Sequence, residues 1–257
     1  MAIWSPDQYL KFADHRRRPA VDLLARVALD APRSVIDLGC GAGNVTRLLH
    51  DRWPQARLIG VDFSAAMLEK ARAVLPEAEW VEADLGAWIP AAPPDLIFSN
   101  AAIQWLDGHD TLIPRLFGLV APGGVLAIQM PRNFDSPSHV GMREAARSGP
   151  WRAMLEPHLR ENPVAPPAYY YDLLAKAGAR LDIWEMEYLQ ELQGEDAVVE
   201  WTKGTALKPL LDALIEPERG QFLADYTARI RAAYPRHADG VTLFPFRRLY
   251  IVAAKAA

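Results

Sequence analysis

The chain has 257 residues, enough to bury a full core, and its apolar (51%) and charged (23%) fractions are those of a soluble globular protein. A net charge of -4 gives no electrostatic ground for nucleic acid or an anionic membrane surface as a partner. The single cysteine, Cys40, excludes an intrachain disulfide and fits a reducing compartment.

Residues 1–7 carry neither a cationic start nor an apolar run, so no secretory leader is expected. No stretch nears the ~18 uninterrupted apolar residues of a membrane span, and a cytoplasmic protein is expected. Trp4, Tyr9 and Phe12 precede the basic cluster Arg16-Arg17-Arg18. Pro19 suits a first helical position; Ala20, Leu23, Leu24 and Val27 then make one apolar helix face, which Pro32 closes. Ser34 to Leu38 reads as a buried strand running into Gly39-Cys40-Gly41-Ala42-Gly43, and a helix starts near Asn44 with Val45, Leu48, Leu49 and Trp53 inward. A second strand, 57–61, ends in Asp62, and Ser64 is the N-cap of a helix carrying Met67, Leu68, Ala71 and Leu75. A third strand, 79–82, ends near Asp84, and a fourth, 95–99, at Asn100. Leu112, Ile113, Leu116, Phe117 and Val120 give the next helix, and a Pro122-Gly123-Gly124 turn leads into a fifth strand, 125–130. Beyond it the pattern loosens: helices are expected near 139–147, 171–177, 196–203, 207–215 and 217–233, with strands over 181–189 and 244–254.

Strands alternating with helices up to residue 130 imply a parallel sheet, and such sheets bind ligands outside the carboxyl ends of their strands. Gly39, Asp62, Asp84 and Asn100 all fall at such ends. Taken singly, each has an ordinary structural role in a turn or cap; their joint placement points to a nucleotide-like ligand. A dinucleotide loop wants G-x-G-x-x-G, but here the spacing is Gly39-x-Gly41-x-Gly43, with Asn44 in the place of the third glycine. Asp37 also precedes the loop, where a carboxylate repels a pyrophosphate and attracts an ammonium.

The segments Val35–Asn44, Leu58–Asp62, Val81–Leu85, Asp95–Asn100 and Leu119–Leu126 resemble, in order, the motifs of the class I S-adenosylmethionine-dependent methyltransferases. The resemblance implies an α/β fold, a doubly wound, mostly parallel seven-stranded sheet whose last strand is antiparallel, with a helical cap inserted in the second half. It divides a single domain, 1–257, into an N-terminal helical cover over 1–33, a cofactor-binding core over 34–131, and substrate-covering insertions over 132–180 and 195–240. It implies S-adenosyl-L-methionine as the cofactor, with its ribose on Asp62 and its adenine bordered by Asp84 and Leu85. The methionine end would lie against Asp37, Gly39, Gly41, Gly43 and the Asn100 region; Phe63, Met67 and Arg18 are assigned to the same cofactor site.

Further segments resemble a branch of that family that esterifies one carboxylate of trans-aconitate, a tricarboxylic acid. They include Trp4-Ser5-Pro6, Asn100-Ala101-x-x-Gln104-Trp105-Leu106, Gln129-Met130-Pro131, His139-Val140-x-Met142-Arg143-Glu144, Trp201-x-x-x-Thr205 and the stretch from Arg248 to Ala253. A small polycarboxylate with about three charges at neutral pH calls for several cations, guanidinium groups above all. Arg16, Arg143 and Arg248 are the substrate candidates, with His139 and the tip of Tyr170 as lesser ones. Gln104 and Trp105 are expected beside the transferring methyl, and Trp201 in the pocket, though both tryptophans also suit a core. Arg16 and Arg18 could exchange their roles between substrate and cofactor. Only one of Arg247 and Arg248 can face the site from an alternating strand. An ionised carboxylate needs no general base, so no catalytic residue is assigned beyond positioning. Cys40 reads as small filler, and no histidine spacing suggests a metal. No nucleic-acid, membrane or protein partner is expected. The alternatives are a carboxyl methyltransferase acting on another acid, such as a malonyl group on a carrier protein, an NAD(P)-dependent oxidoreductase, and a non-catalytic cofactor-binding protein.

Overall fold

The computed structural model describes residues 13–257, with side chains from Arg17 onward. Trp4, Tyr9, Phe12 and the side chain of Arg16 lie outside the described residues. Seven strands, β1 (Ser34–Leu38), β2 (Arg57–Asp62), β3 (Glu79–Glu82), β4 (Leu96–Asn100), β5 (Val125–Pro131), β6 (Arg180–Gln193) and β7 (Val241–Ala254), form one sheet in the order β3-β2-β1-β4-β5-β7-β6. The pairs β1–β2, β1–β4, β2–β3 and β4–β5 are parallel, and β7 runs antiparallel to β5. This is the expected doubly wound, mostly parallel sheet. Its strand order reverses between β1 and β4, which opens a crevice at their carboxyl ends.

Local sequence explains the central strands: Val35, Ile36, Leu38, Leu96, Ile97 and Phe98 are buried, as strands covered on both faces require. Helices α1 (Ala13–Leu24), α2 (Asn44–Arg52), α3 (Ala65–Val74) and α4 (His109–Leu119) alternate with them. Ser64 caps α3 as expected, its hydroxyl accepting from the Met67 amide at 3.4 Å. Pro19 does not open a helix; it lies inside α1, which is already helical from Ala13. Pro19 gives up one main-chain hydrogen bond there, and the apolar face behind it, Ala20, Leu23 and Leu24, is buried.

Past Pro131 the chain adds α5 (Pro137–Ser148), α6 (Arg152–Leu155), α7 (Pro167–Lys176), α8 (Ala197–Lys203), α9 (Lys208–Asp212) and α10 (Glu218–Ala233). Both late strands are longer than their apolar patterns suggested. In β6 the burial alternates through Tyr188, Gln190 and Leu192, and the glutamine in an inward slot is what blurred the pattern.

The chain divides into two compact units. The sheet unit takes residues 14–131, 163–186 and 248–257; among the described residues, the second takes Ala13, 132–162 and 187–247. The stretch expected as an insertion over 132–180 is therefore shared, with 163–180 belonging to the sheet unit. The second unit has its own apolar core, in which Met142, Trp151, Trp201, Leu210, Phe222, Tyr226, Phe244 and Phe246 pack together. Trp201 meets Phe244 and Phe246 at ring-centroid distances of 6.0 and 5.6 Å.

Candidate active site

The glycine loop separates three roles that the sequence merges. Leaving β1, the amides of Gly39 and Cys40 still donate to the Val61 carbonyl at 2.8 and 3.1 Å, so the turn stays fastened to β2. Gly39 has φ +85°, and a Cβ there would stand 2.1 Å from the Cβ of Ala102. Gly43, at φ +82°, precedes α2, and a Cβ would press on Trp80 and Ala71 at 3.0 and 3.1 Å. Gly41, at φ +52°, faces open space with nothing within 4 Å. Packing demands two of the glycines; the third leaves a cradle that a side chain would fill.

The Gly41 amide donates to Asp62 Oδ2 at 2.9 Å, and the Ser64 amide to Oδ1 at 3.0 Å. Asp62 thereby ties the loop to the end of β2 and keeps acceptor capacity for a vicinal diol. Burial pushes its pKa up, opposed by the backbone N–H groups of Ser64, Gly41 and Phe63. Next to it Phe63 is left exposed, and Met67 is buried on α3.

Asp37 is 1% exposed, and the Thr46 hydroxyl donates to its Oδ2 at 2.6 Å. Burial raises its pKa to about 7, the Thr46 bond lowers it, and the charge of Asp62 raises it further. The carboxylate expected to meet an ammonium is thus turned onto α2. Cys40 is buried, and desolvation with the charges of Asp37 and Asp62 drives its thiol pKa far up, which suits filler and opposes a nucleophile.

At the end of β3, Asp84 is exposed; its Oδ1 accepts from the Gly86 amide at 2.8 Å, and its carbonyl receives the amides of Ala87 and Trp88. Leu85 beside it is buried. From α4, Arg115 donates to the carbonyls of Gly86 at 2.6 Å and Trp88 at 3.2 Å, fixing this loop. Nothing in the sequence marks Arg115, because a charged residue between Leu112 and Leu116 reads as a solvent-facing position.

At the end of β4, Ala101 adopts φ +56°, uncommon for a residue with a side chain, and donates to the Gln129 carbonyl at 2.9 Å. A 3-10 turn, Ile103–Trp105, follows. Gln104 Nε2 donates to the Ala101 carbonyl at 2.7 Å. Among the described residues, Asn100 Oδ1 and Gln104 Oε1 are buried and have no hydrogen-bond partner. Two such acceptors suit a cationic donor, as an ammonium on the amino-acid end of the cofactor provides. Together with the open cradle at Gly41 and the carboxylate of Asp62, they fit S-adenosylmethionine.

The acceptor-side candidates are spread more widely. On β7 the buried face runs Thr242, Phe244, Phe246 and Arg248, so of the two adjacent arginines Arg248 is the buried one, at 3% exposure. Its Nη1 donates to Gln129 Oε1 at 3.3 Å, while Arg247 pairs with Asp135 at 3.5 Å. In the second unit, Arg143 donates to the Phe134 carbonyl at 2.9 Å and pairs with Glu161 at 3.3 Å. His139 packs on the Phe134 ring, and burial together with Arg143 pushes its pKa down to about 4 against the raising effect of Asp135. It is therefore neutral at pH 7 and can serve a carboxylate only as a hydrogen-bond donor, not as the lesser cation expected. Arg18 is exposed on α1.

Two expected contacts are placed in packing instead. Tyr170 is fully buried; its hydroxyl lies 2.8 Å from His109 Nδ1 and accepts from the Ala165 amide at 3.1 Å. His109 Nε2 in turn lies 3.0 Å from the Ile103 carbonyl, so the pair pins the turn that carries Gln104 and Trp105. Trp201 is buried in the core of the second unit. Aromatic residues carry the same signature in cores and in pockets, so the sequence held nothing to separate the two. Asn133, which no motif marks, is buried in the second unit with neither side-chain polar atom partnered among the described residues.

No helix among the described residues is long and apolar enough to cross a membrane. A family model described as a methyltransferase domain matches residues 12–182. A trans-aconitate 2-methyltransferase from Azoarcus sp. (strain BH72) is 55% identical over 255 residues, covering 99% of this chain and all of that one. One of the same name from Rhodopseudomonas palustris (strain BisB18) is 52% identical over 257 residues, with the same coverage. Among solved structures, a putative methyltransferase from Bacillus halodurans C-125 matches with a TM-score of 0.61 at 15% identity, over 93% of this chain and all of that one. An S-adenosylmethionine-dependent methyltransferase from Thiobacillus denitrificans, solved with S-adenosyl-L-homocysteine, matches with a TM-score of 0.57 at 16% identity, over 99% and 100%. The structural matches repeat the fold, while the close relatives span the whole chain: it belongs to the S-adenosylmethionine-dependent methyltransferases, in the branch whose curated members carry the name trans-aconitate 2-methyltransferase.

Proposed function

We propose that this chain methylates one carboxylate of trans-aconitate, giving a monomethyl ester and S-adenosylhomocysteine. Its geometry supports an anionic small-molecule acceptor through one observation above others: a buried guanidinium, Arg248, paired in register with Pro131 at the carboxyl end of β5. Gly39, Asp62 and Asn100 lie at that same edge of the sheet. The full-length identity of 55% to an enzyme of that name supports the choice of acid.

The bound cofactor supplies an electrophilic methyl on a sulfonium. The chain's own work is to hold the parts in line. Asp62 receives the ribose hydroxyls, Asp84 and Leu85 border the adenine, and Asn100 and Gln104 accept from the amino end. In the sheet unit Arg248 grips an acceptor carboxylate, with Gln104 and Trp105 by the reacting oxygen; in the second unit Arg143 is the candidate guanidinium. An acceptor carboxylate titrates near pH ~4 and is already ionised at pH 7, so methyl transfer from the sulfonium to its oxygen would require no residue of this chain to take a proton. The same reading makes the enzyme cytoplasmic, which the lone buried Cys40 supports, and has it act on a free acid without a protein partner.

Incubation with methyl-labelled S-adenosylmethionine and a panel of di- and tricarboxylates tests this. Label should pass to trans-aconitate and leave as a base-labile ester. Transfer to none of the acids, with S-adenosylhomocysteine binding intact, would overturn the assignment.

A further inference from the structure

We propose that Gln129 is a substrate-binding residue whose side-chain amide donates to an acceptor carboxylate held by Arg248. This rests on the functional reading above and adds to it a specificity-determining group. Gln129 interrupts an otherwise apolar strand, Val125-Leu126-Ala127-Ile128 before it and Met130 after it, and is 0% exposed. Burying an amide is unfavourable unless its hydrogen bonds are made, so its presence there calls for partners. One is supplied: Arg248 Nη1 donates to Gln129 Oε1 at 3.3 Å.

That bond fixes the orientation of the amide. A guanidinium only donates, so the oxygen must face it, and the NH2 group is directed to the other side. Among the described residues, Gln129 Nε2 has no acceptor. Its register neighbour on β4 is Asn100, whose Oδ1 is an acceptor also without a partner, yet the two do not bond. The Gln129 main chain cannot shift to relieve this, since its carbonyl takes the Ala101 amide at 2.9 Å. On its other side Gln129 pairs with Tyr250, whose ring stacks on Trp184 at 4.8 Å and 7°, a stiff apolar wall two residues from Arg248.

A group that satisfies Nε2–H beside a guanidinium must accept hydrogen bonds and carry negative charge. That is a carboxylate, which can take the amide on one oxygen and the arginine on the other. The acceptor acid and the methionine end of the cofactor both bear one, and the experiment separates them.

Calorimetry measures S-adenosylhomocysteine binding to the free protein and trans-aconitate binding to the protein saturated with S-adenosylhomocysteine. Gln129→Met keeps length and apolar bulk and removes the donor. It should weaken trans-aconitate binding about ten- to a hundredfold, the worth of a hydrogen bond to a charged group, and leave S-adenosylhomocysteine within about twofold. In turnover, KM for the acid should rise by the same factor while kcat changes less. Should that variant fail to fold, Gln129→Asn keeps the amide but shortens its reach, and should weaken the acid about tenfold under the same cofactor control. Unchanged acid affinity, or a loss falling on S-adenosylhomocysteine instead, overturns the proposal. If the wild-type protein binds no tricarboxylate at all, the functional reading itself falls. If it binds the acid and Gln129→Met binds it equally, only the role of Gln129 falls.

Discussion

In the sheet unit, buried polar side chains gather along one edge: Asp37, Asp62, Gln104 and Gln129 lie at or near the carboxyl ends of parallel strands, and Arg248, midway along antiparallel β7, stands in register with the carboxyl end of β5. In the second unit the buried polar residues, Asn133, Ser138, Gln190, Thr202 and Thr242, are uncharged and dispersed over loop, helix and strand. Its charges pair at the surface, Arg147 with Glu156 and Glu161, Arg229 with Glu144 and Asp225, Arg231 with Glu195 and Asp196. A central parallel strand has helices on both faces, so only its ends can carry polar groups, and the topology collects them. A surface helix has its own wet face for charge, where exposed pairs contribute only ~0–1 kcal/mol each. Function is concentrated by architecture in the first case and has to be written residue by residue in the second.

The widest gap between the units should come from Gly39→Ala. The new Cβ would sit 2.1 Å from that of Ala102 at a φ of +85°, where neither main chain can yield cheaply. A loss on the order of 4 kcal/mol or more is expected, read as a collapse of the urea midpoint by circular dichroism. The counterpart in the second unit is Trp201→Ala, which opens a void between Phe244 and Phe246 and should cost about 3–5 kcal/mol. If Trp201 serves packing alone, Trp201→Phe should restore most of that stability and leave KM for the acid unchanged; a raised KM in the stable variant would return Trp201 to the pocket.

These two substitutions also mark what could be read in the chain. Strand ends at Gly39, Asp62, Asp84 and Asn100 were legible, because apolar runs with a fixed terminus need no knowledge of tertiary structure. The roles within the loop were not, since Gly39, Gly41 and Gly43 look alike until Ala102, Trp80 and Ala71 are brought against them. Tyr170 and Trp201 are ambiguous for a related reason: an aromatic ring suits a pocket and a core equally, and of the hydrogen bonds of Tyr170, to His109 and Ala165, the one to His109 is written in a distant segment. Arg115 and Gln129 passed without a role because each takes its meaning from a distant segment, the 84–88 loop and β7.

Gly41→Ala probes that ambiguity with a smaller effect. The added methyl meets nothing within 4 Å, so the cost to stability is about 1 kcal/mol from the left-handed backbone. The methyl would occupy the cradle, so S-adenosylhomocysteine affinity should fall about ten- to a hundredfold by calorimetry. Equal affinity in a folded variant would place the cofactor elsewhere along the loop.

Asp37 gives the finest test, because it asks whether the charge at the head of the loop is present before any ligand arrives. Its pKa is raised to about 7 in the folded chain, chiefly by burial. An unfolded aspartate titrates near ~3.9, so between these values the folded chain holds a proton that the unfolded chain has released. Stability from this group therefore falls as pH rises from about 4 to about 7, and levels off above. Asp37→Asn cannot ionise and still accepts from Thr46, so it escapes that loss. Its advantage over wild type should be larger at pH 8 than at pH 5 by on the order of 2–3 kcal/mol, several degrees in Tm. A difference that stays flat with pH would mean that the carboxylate is ionised throughout. The loop would then hold its negative charge in advance of the cofactor, and Asp37 would regain the ammonium-facing role that its hydrogen bond to Thr46 argues against.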